Sequence, residues 1–286
     1  MKVAFVGLGV MGFPMAGHLA KAGHQVAVFN RSPEKSVRWV ATHGGRAGVS
    51  PAEAAAGAEI VFLCVGNDDD VRGVTAQVLP AMADGGIVVD HTTTSATVAR
   101  EMADRAGQGG RWFVDAPVSG GQAGAENGQL TVMCGGDAAA YARAEPVISA
   151  FAKAVRRMGG PGAGQLTKMV NQICIAGIVQ GLAEGLHFAR RAGLDPAEVY
   201  EAISKGAAQS WQLDNRWKTM SEGKFDFGFA VDWMRKDLGL VLDEAGANGA
   251  TLDMTAMVDG FYAEVQASGG ARWDTSSLVT RLEKPS

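Results

Sequence analysis

Near its amino terminus the chain reads Val3-Ala4-Phe5-Val6-Gly7-Leu8-Gly9-Val10-Met11-Gly12. Apolar, strand-type residues run directly into the spacing Gly-x-Gly-x-x-Gly, and a helical pattern follows it. In a strand–turn–helix unit, such glycines permit a tight turn and let a phosphate group approach the backbone. The stretch 7–12 therefore predicts a dinucleotide site with the pyrophosphate at the helix N-terminus. A tight turn without a ligand is the alternative.

Strand-type and helix-type segments alternate through the first 160 residues. Apolar runs predict strands at 2–6, 25–29, 60–65, 87–90, 111–116 and 130–134, with helical patterns such as 14–22 and 33–43 between them. Most runs are apolar throughout, as expected for parallel strands that are covered on both faces. This rhythm predicts an α/β fold with a Rossmann-type, doubly wound parallel sheet.

The sequence changes character at the cluster Gly159-Gly160-Pro161-Gly162, after which no strand-like run is visible. Helical patterns follow at 165–192, 196–204, 211–220, 230–248, 254–269 and 275–282. We therefore expect an NAD(P)-binding Rossmann domain over 1–162 and an all-helical substrate and dimerisation domain over 163–286. The active site is expected in the cleft between these domains.

Composition restricts the partners and the location. The chain has 286 residues, 47% of them hydrophobic, and a formal charge of −4 without any run of like charges. We therefore expect no nucleic-acid partner. The first predicted strand starts at residue 2, which leaves no room for a signal peptide, and the most apolar stretch, 173–183, is too short to cross a bilayer. These features predict a cytoplasmic protein with no membrane partner.

The three cysteines are widely spaced along the chain and odd in number. Cys64, Cys134 and Cys174 each lie in an apolar run, so we interpret them as small buried hydrophobes. They predict neither a disulfide framework nor a metal site.

The end of the second predicted strand carries Asn30-Arg31-Ser32, at the place where an acidic residue would hold the ribose hydroxyls of NAD. A carboxylate would repel a 2′-phosphate, whereas Arg31 and the Ser32 hydroxyl can bind one. The segment therefore favours NADP. NAD remains the alternative, because an arginine can also stack on adenine without distinguishing the two cofactors.

Two further strand ends should face the cofactor, because ligands of doubly wound folds bind at the carboxyl ends of the strands. The first supplies Val65 and Asn67, and the second supplies Thr93, which we place near the nicotinamide. An ordinary helix cap is the alternative for Thr93. His91 lies beside it, but no partner pattern supports an acid–base role.

Two later segments offer groups for a substrate. Ser119-Gly120-Gly121 follows an apolar strand, and its backbone N–H groups can cradle a carboxylate. A flexible turn is the alternative. The segment GAGQLTKMVNQ, residues 162–172, contributes Lys168, which by itself would be interpreted as an exposed helix lysine.

Four ordered motifs resemble the β-hydroxyacid dehydrogenases: GLGVMG at 7–12, DAPVSGG at 115–121, GAGQLTKMVNQ at 162–172 and RKDL at 235–238. The family includes 3-hydroxyisobutyrate dehydrogenase, tartronate semialdehyde reductase and the succinic and glyoxylate semialdehyde reductases. The resemblance covers essentially the whole chain. It implies hydride transfer between a nicotinamide cofactor and a short 3-hydroxy acid or its semialdehyde.

The resemblance also implies residue roles. Lys168 matches the catalytic lysine, a general acid/base, and Asn171 matches the residue that helps to orient the substrate. The loop Ser119-Gly120-Gly121 matches the site for the substrate carboxylate, while Thr93 and Lys236 match contacts near the nicotinamide. Reduction of an aldehyde needs a hydride on carbon and a proton on oxygen, so a lysine suffices and no metal is required.

Some positions depart from the family pattern and leave the substrate open. The stretch 65–67 reads Val-Gly-Asn where many members have Leu-Pro, no serine precedes Thr93, and residues after Ser210 identify no substrate subgroup. Imine reductases share the architecture but usually carry Asp or Tyr at the position of Lys168. The 6-phosphogluconate dehydrogenases are longer and have histidine at that of Asn171. A non-catalytic cofactor-binding protein is a further alternative.

Three glycines recur every four residues on one face of a predicted helix: Gly177, Gly181 and Gly185. This spacing indicates close approach of a neighbouring helix. We expect a homodimer or a homotetramer.

Overall fold

A computed structural model describes residues 1–283 of the chain. The chain forms two compact units, which we call unit 1 (Met1–Lys168) and unit 2 (from Met169 onward). The division falls inside one long helix, α8 (Ala163–Arg191). The domain boundary predicted from the sequence, between 162 and 163, coincides with the first residue of that helix.

Unit 1 is organised around a mainly parallel sheet, which confirms the predicted fold class. Its strands are β1 (Lys2–Val6), β2 (Gln25–Phe29), β3 (Arg46–Ala47), β4 (Ile60–Leu63), β5 (Ile87–Asp90), β6 (Trp112–Asp115), β7 (Val118–Ser119), β8 (Leu130–Gly136) and β9 (Ala152–Gly159). The order across the sheet is β3-β2-β1-β4-β5-β6-β8-β7, and β9 pairs with β8. Strands β1 to β6 pair in parallel, whereas β8 is antiparallel to β6 and β7. The strand order reverses between β1 and β4, where doubly wound folds bind ligands.

The central strands are apolar throughout because both of their faces are covered. Every residue of β4 and β5 is buried. Successive residues of β1 alternate between two hydrophobic clusters: Val3 and Phe5 pack in one, Ala4 and Val6 in the other. This two-sided burial explains why the strands lack the alternating pattern of a sheet with one exposed face.

The helices of unit 1 connect these strands: α1 (Gly12–Lys21), α2 (Pro33–His43), α3 (Pro51–Ala55), α4 (Asp68–Val78), α5 (Ala96–Gln108), α6 (Gly121–Glu126) and α7 (Ala138–Ile148). Several of these helices have an N-cap residue whose side chain accepts a hydrogen bond from a first-turn N–H group, which has no acceptor within the helix. Asn67 caps α4, Ser95 caps α5 and Asp137 caps α7 in this way.

Three strands were not predicted from the sequence. Strands β3 and β7 have only two residues each, which is too short for a recognisable pattern. Strand β9 has eight residues, but its sequence AKAVRRMG is strongly basic and none of it is buried. Charged side chains are typical of exposed edge strands, where they discourage pairing with another chain.

Unit 2 is helical, as predicted. From Pro196 its helices are α9 (Pro196–Ile203), α10 (Trp211–Ser221), α11 (Val231–Asn248), α12 (Asp253–Val265) and α13 (Val279–Leu282). The predicted helices at 254–269 and 275–282 each divide in two. Helix α12 ends at Val265, before the positive φ of Gly269, and a 3₁₀ turn (Thr275–Leu278) precedes α13. The core of unit 2 includes Leu186, Trp217 and Tyr262.

Helix α8 has 29 residues, so it extends well beyond the apolar stretch 173–183. Within residues 1–283 it is the one helix long and apolar enough to cross a membrane, judged by length and composition. Its residues Ala176, Val179, Ala183 and Leu186 are buried in the core of unit 2. We therefore interpret α8 as the core helix of this unit.

Candidate active site

The glycine turn after β1 has no room for side chains at two of its three glycines. A Cβ on Gly7 would lie 2.1 Å from the Cys64 carbonyl oxygen, and one on Gly12 would lie 1.9 Å from that of Gly7. Gly7 also has a positive φ of 102°. These two glycines are required by the fold, whereas a Cβ on Gly9 would meet no protein atom within 4 Å. The open space beside Gly9 fits a dinucleotide that approaches the backbone.

The end of β2 supports this turn and carries an exposed arginine. The Asn30 Oδ1 atom accepts a hydrogen bond of 2.9 Å from the Leu8 N–H group, so Asn30 helps to fix the glycine turn. The Arg31 side chain is 84% exposed, and its Nη1 atom lies 3.4 Å from the Asp70 Oδ1 atom. The Arg31 side chain is therefore held by one exposed ion pair and not by packing.

The ends of β4 and β5 are linked to each other. The Val65 N–H group donates to the Thr92 hydroxyl at 3.0 Å, and Asn67 caps α4 by accepting from the Asp70 N–H group. Ser95, and not Thr93, is the cap of α5. The helix-cap interpretation of Thr93 is therefore wrong.

His91 is a core residue. Its Nδ1 atom lies 2.6 Å from the Ala116 carbonyl oxygen, and its ring stacks on Phe62 with centroids 5.8 Å apart. Burial lowers the pKa of His91 to about 4. His91 is therefore a buried, neutral imidazole held by the backbone and by aromatic packing.

Helix α8 starts at a buried carboxylate. Asp115, at the end of β6, is fully buried and accepts hydrogen bonds from the N–H groups of Gly162 (2.8 Å) and Gln165 (2.9 Å). Burial raises the pKa of Asp115, and the backbone donors oppose that rise. The negative charge lies at the positive end of the helix dipole, which is the favourable arrangement.

The first turn of α8 is also tied to the end of β5. The side-chain amide of Gln165 accepts from the Thr94 N–H group at 3.1 Å and donates to the Thr92 carbonyl oxygen at 2.8 Å. Lys168 follows three residues later and is only 7% exposed. The interpretation of Lys168 as an exposed helix lysine is therefore wrong.

The loop 119–121 presents exposed backbone next to the sheet. Ser119 pairs with Thr131 across β7 and β8. Gly120 and Gly121 are exposed and have positive φ values of 128° and 61°. A side chain would strain both positions, so the loop keeps its backbone accessible.

In unit 2 a chain of polar contacts links the remaining predicted site residues. The Asn171 Nδ2 atom donates to Gln172 Oε1 at 2.8 Å, and Gln172 Nε2 donates to Asp237 Oδ2 at 2.8 Å. Lys236 Nζ lies 3.3 Å from Asp237 Oδ1. Gln172 and Asp237 are each 2% exposed, so the centre of this chain of contacts is buried, whereas Asn171 and Lys236 are partly exposed.

Sequence reasoning assigned no role to Asp115, Gln165, Gln172 or Asp237. All four lie inside the motifs 115–121, 162–172 and 235–238, so the signal was a polar residue within an otherwise informative motif. Their partners are distant in sequence, up to 73 residues for the contact between Gln165 and Thr92. The cysteines were all expected to be buried, but only Cys134 is: Cys64 is partly buried and Cys174 is exposed.

The described residues offer no metal site: within 1–283, no three or more His, Cys, Asp or Glu side chains form a group that could hold an ion. Burial raises the pKa of the Cys134 thiol to about 12, with smaller contributions from the charges of Asp115 and Glu145. This cysteine is therefore a protonated core residue.

Two family models together match nearly the whole chain. Residues 2–160 match the NAD-binding domain of 6-phosphogluconate dehydrogenase, and residues 162–282 match the NAD-binding domain of NADP-dependent 3-hydroxyisobutyrate dehydrogenase.

Similar proteins match over the full length. An uncharacterized oxidoreductase of Shewanella frigidimarina is 63% identical over 99% of this chain and 98% of its own. The 2-hydroxy-3-oxopropionate reductase of Escherichia coli K12 is 34% identical over 99% of this chain and 97% of its own. A solved structure of 3-hydroxyisobutyrate dehydrogenase from Mycobacterium tuberculosis with L-serine has a TM-score of 0.90 and 33% identity, covering 99% of both chains.

These matches extend over both units and agree with the four motifs. The glycine turn, with open space at Gly9, fits the nicotinamide dinucleotide that such domains bind. The chain thus belongs to the β-hydroxyacid dehydrogenase family and is an NAD(P)-dependent oxidoreductase that acts on CH–OH donors.

Proposed function

We propose that the protein is an NADP-preferring β-hydroxyacid dehydrogenase that works as a semialdehyde reductase, with Lys168 as its general acid/base. The burial of Lys168 carries this proposal: only 7% of the residue is exposed. Lysines are seldom buried to this extent without a partner or a task. Helix α8, which holds Lys168, is hydrogen-bonded to the segment around Thr93, at the edge of the sheet where ligands bind in this fold.

A nicotinamide dinucleotide held at the glycine turn would supply the hydride for the carbonyl carbon of the substrate. Lys168 donates a proton from Nζ to the carbonyl oxygen, so the aldehyde becomes a primary alcohol. In the oxidising direction the neutral amine accepts the hydroxyl proton. General acid–base catalysis of this kind contributes about 10²–10⁴-fold to a rate.

The substrate carboxylate is proposed to bind to the loop of Ser119, Gly120 and Gly121, and Asn171 to orient the substrate. The exposed glycine backbone of the loop supports the first assignment. The hydrogen bond of Asn171 to the buried Gln172 supports the second, because it restricts the amide orientation. A short semialdehyde with one carboxylate satisfies both. The activity named for the Escherichia coli relative belongs to this substrate class.

NADP preference is proposed from the end of β2, where Arg31 and Ser32 occupy the place of an acidic residue. The high exposure of Arg31 supports its role, because the guanidinium can exchange Asp70 for a ligand phosphate at little structural cost. Val65, Asn67, Thr93 and Lys236 are proposed as further cofactor contacts. NAD remains the alternative cofactor.

We also propose that the protein is a cytoplasmic homodimer or homotetramer, with an NAD(P)-binding domain at 1–162 and a substrate and dimerisation domain at 163–286. A stripe of exposed, mostly apolar or small residues on α8 supports self-association: Val170, Cys174, Ile178, Gly181, Gly185 and Phe188. These positions repeat every three or four residues and so lie on one helix face. Light scattering of the purified protein measures the oligomeric state.

The test of the reaction is NADPH and NADH oxidation with succinic, methylmalonic and tartronic semialdehydes and glyoxylate, alongside a cyclic imine. Lys168→Met removes the ammonium group but keeps an apolar side chain of similar length. We expect it to lower kcat by about 10²–10⁴-fold while the Kd for NADPH changes little. Thr167→Ala is the matched control, because Thr167 lies on the same turn and its hydroxyl donates only to the Ala163 carbonyl oxygen.

Each alternative gives a distinct result. Turnover of a semialdehyde that survives Lys168→Met would refute the role of the lysine. Turnover of the imine alone would identify an imine reductase. Tight cofactor binding without turnover of any aldehyde or imine would favour the non-catalytic alternative.

A further inference from the structure

The side chain of Gln165 holds the backbone on both sides of Thr93. Its Oε1 atom accepts from the Thr94 N–H group at 3.1 Å, and its Nε2 atom donates to the Thr92 carbonyl oxygen at 2.8 Å. A neighbouring β-strand would satisfy the same two backbone groups in the same way. Gln165 is fully buried, so water does not compete for these bonds.

The backbone of Gln165 is fixed independently by Asp115. The carboxylate accepts from the N–H groups of Gln165 and Gly162, and glycines leave room for this close approach. A Cβ on Gly164 would lie 2.4 Å from the Met133 carbonyl oxygen, and a Cβ on Gly135 would lie 2.5 Å from Asp115 Oδ1. The first turn of α8 is therefore restrained from two sides, by the end of β6 and by the end of β5.

Lys168 lies three residues after Gln165 on the same helix, so the two side chains share a face. The contacts of Gln165 thus connect the proposed proton donor directly to the segment proposed to contact the nicotinamide. We infer that Gln165 is a positioning residue that sets the distance between Lys168 and the Thr93 segment. This inference rests on the proposed function of Lys168.

The expected effect follows from the geometry of the reaction. The hydride and the proton must reach adjacent atoms of one carbonyl group, and a misplacement of about 1 Å can cost roughly 10²-fold in rate. Of the proposed cofactor contacts, Gln165 restrains only the Thr93 segment; it does not touch the glycine turn or the end of β2, which are proposed to hold the pyrophosphate and the adenosine end. Loss of the amide should therefore lower kcat and leave the Kd for NADPH nearly unchanged.

The test uses two substitutions with a graded loss of hydrogen bonds. Gln165→Met keeps the length of the side chain and removes both bonds, whereas Gln165→Glu keeps an oxygen that can accept from the Thr94 N–H group. We expect Gln165→Met to lower kcat by about 10²-fold and to increase the isotope effect of deuterated NADPH, because hydride transfer becomes slower relative to product release. Gln165→Glu should recover part of the lost kcat, because burial favours the protonated carboxyl, which can both accept and donate. Thr167→Ala is again the control, and it should retain kcat within about threefold.

A double-mutant cycle with Lys168→Met separates this inference from the proposed function. If Gln165 acts through Lys168, Gln165→Met should cost little more in the Lys168→Met background, because residues that act as a unit are not additive. An equal loss of rate in both backgrounds would overturn the inference, and so would a folded Gln165→Met protein with the kcat of the control. High activity of Lys168→Met alone would instead refute the proposed function. Should Gln165→Met fail to fold, the comparison of Gln165→Glu with the control decides in the same way.

Discussion

Substitution by alanine should impair different properties at two glycines of the same turn: stability at Gly12 and cofactor binding at Gly9. A Cβ on Gly12 would lie 1.9 Å from the Gly7 carbonyl oxygen and 2.8 Å from the ring of Phe5. Neither a backbone oxygen nor a buried strand residue can move away easily. A Cβ on Gly9 meets no protein atom within 4 Å, and Gly9 does not require a positive φ. Gly12→Ala should therefore damage the fold, and Gly9→Ala should damage only cofactor binding.

The two substitutions should change the free energy of unfolding by different amounts, with and without NADPH. Overpacking at Gly12 should lower the free energy of unfolding by about 1–3 kcal/mol, whereas an exposed substitution such as Gly9→Ala should stay within about 0.5 kcal/mol. NADPH at 100 times its Kd stabilises the parent protein by about 2.7 kcal/mol. If the methyl group at residue 9 weakens binding tenfold, the same NADPH concentration stabilises the variant by only about 1.4 kcal/mol.

The assay is unfolding in denaturant with and without NADPH, supported by calorimetric titration of the cofactor. The expected result is normal stability with weak cofactor binding for Gly9→Ala, and low stability for Gly12→Ala without ligand. Two results would refute the reasoning. One is parental NADPH affinity in Gly9→Ala, which would mean that the open space beside Gly9 is not the pyrophosphate site. The other is equal destabilisation by both substitutions.

Two further predictions concern single side chains. Arg31→Ala should weaken NADPH binding by about tenfold and NADH binding by less than about twofold, because only NADPH carries the 2′-phosphate. Titration of the protein with each cofactor measures the two Kd values. An equal loss of affinity for both cofactors would show that Arg31 stacks on adenine. Burial lowers the pKa of His91 to about 4, so the folded state favours the neutral ring, and stability present above about pH 6.5 is lost as the pH falls toward 4. Between pH 7 and 4.5 the parent should lose about 2–3 kcal/mol more of its free energy of unfolding than His91→Phe does. The control keeps an aromatic ring that can still stack on Phe62. Equal losses for the two proteins in denaturant titrations would contradict the prediction.

Much of the fold could be predicted because its signals are local. Strands β1, β2 and β5 were predicted to the residue, since burial on both faces makes each of them a continuous apolar run bounded by polar residues or glycine. Strand β9 could not be predicted, because an exposed edge strand needs no apolar residues. Its identity depends on backbone pairing with β8, which leaves no trace in the side chains.

In the candidate site, too, the features with a local sequence signal could be predicted, and the contacts between distant residues could not. The glycine turn follows from its spacing and Lys168 from the resemblance of its motif to the family, but the contacts that restrain the first turn of α8 follow from neither. Asp115 and Gln165 are separated by 50 residues and meet only because β6 ends where α8 begins. A helix accepts many residues at the position of Gln165, so helix propensity does not explain its identity. The peptide groups on either side of Thr93 explain why Gln165 is a glutamine. A buried N–H group and a buried C=O group on the same side require one acceptor and one donor together. The amides of Asn and Gln provide both without titrating, and the fold decides which of them is long enough.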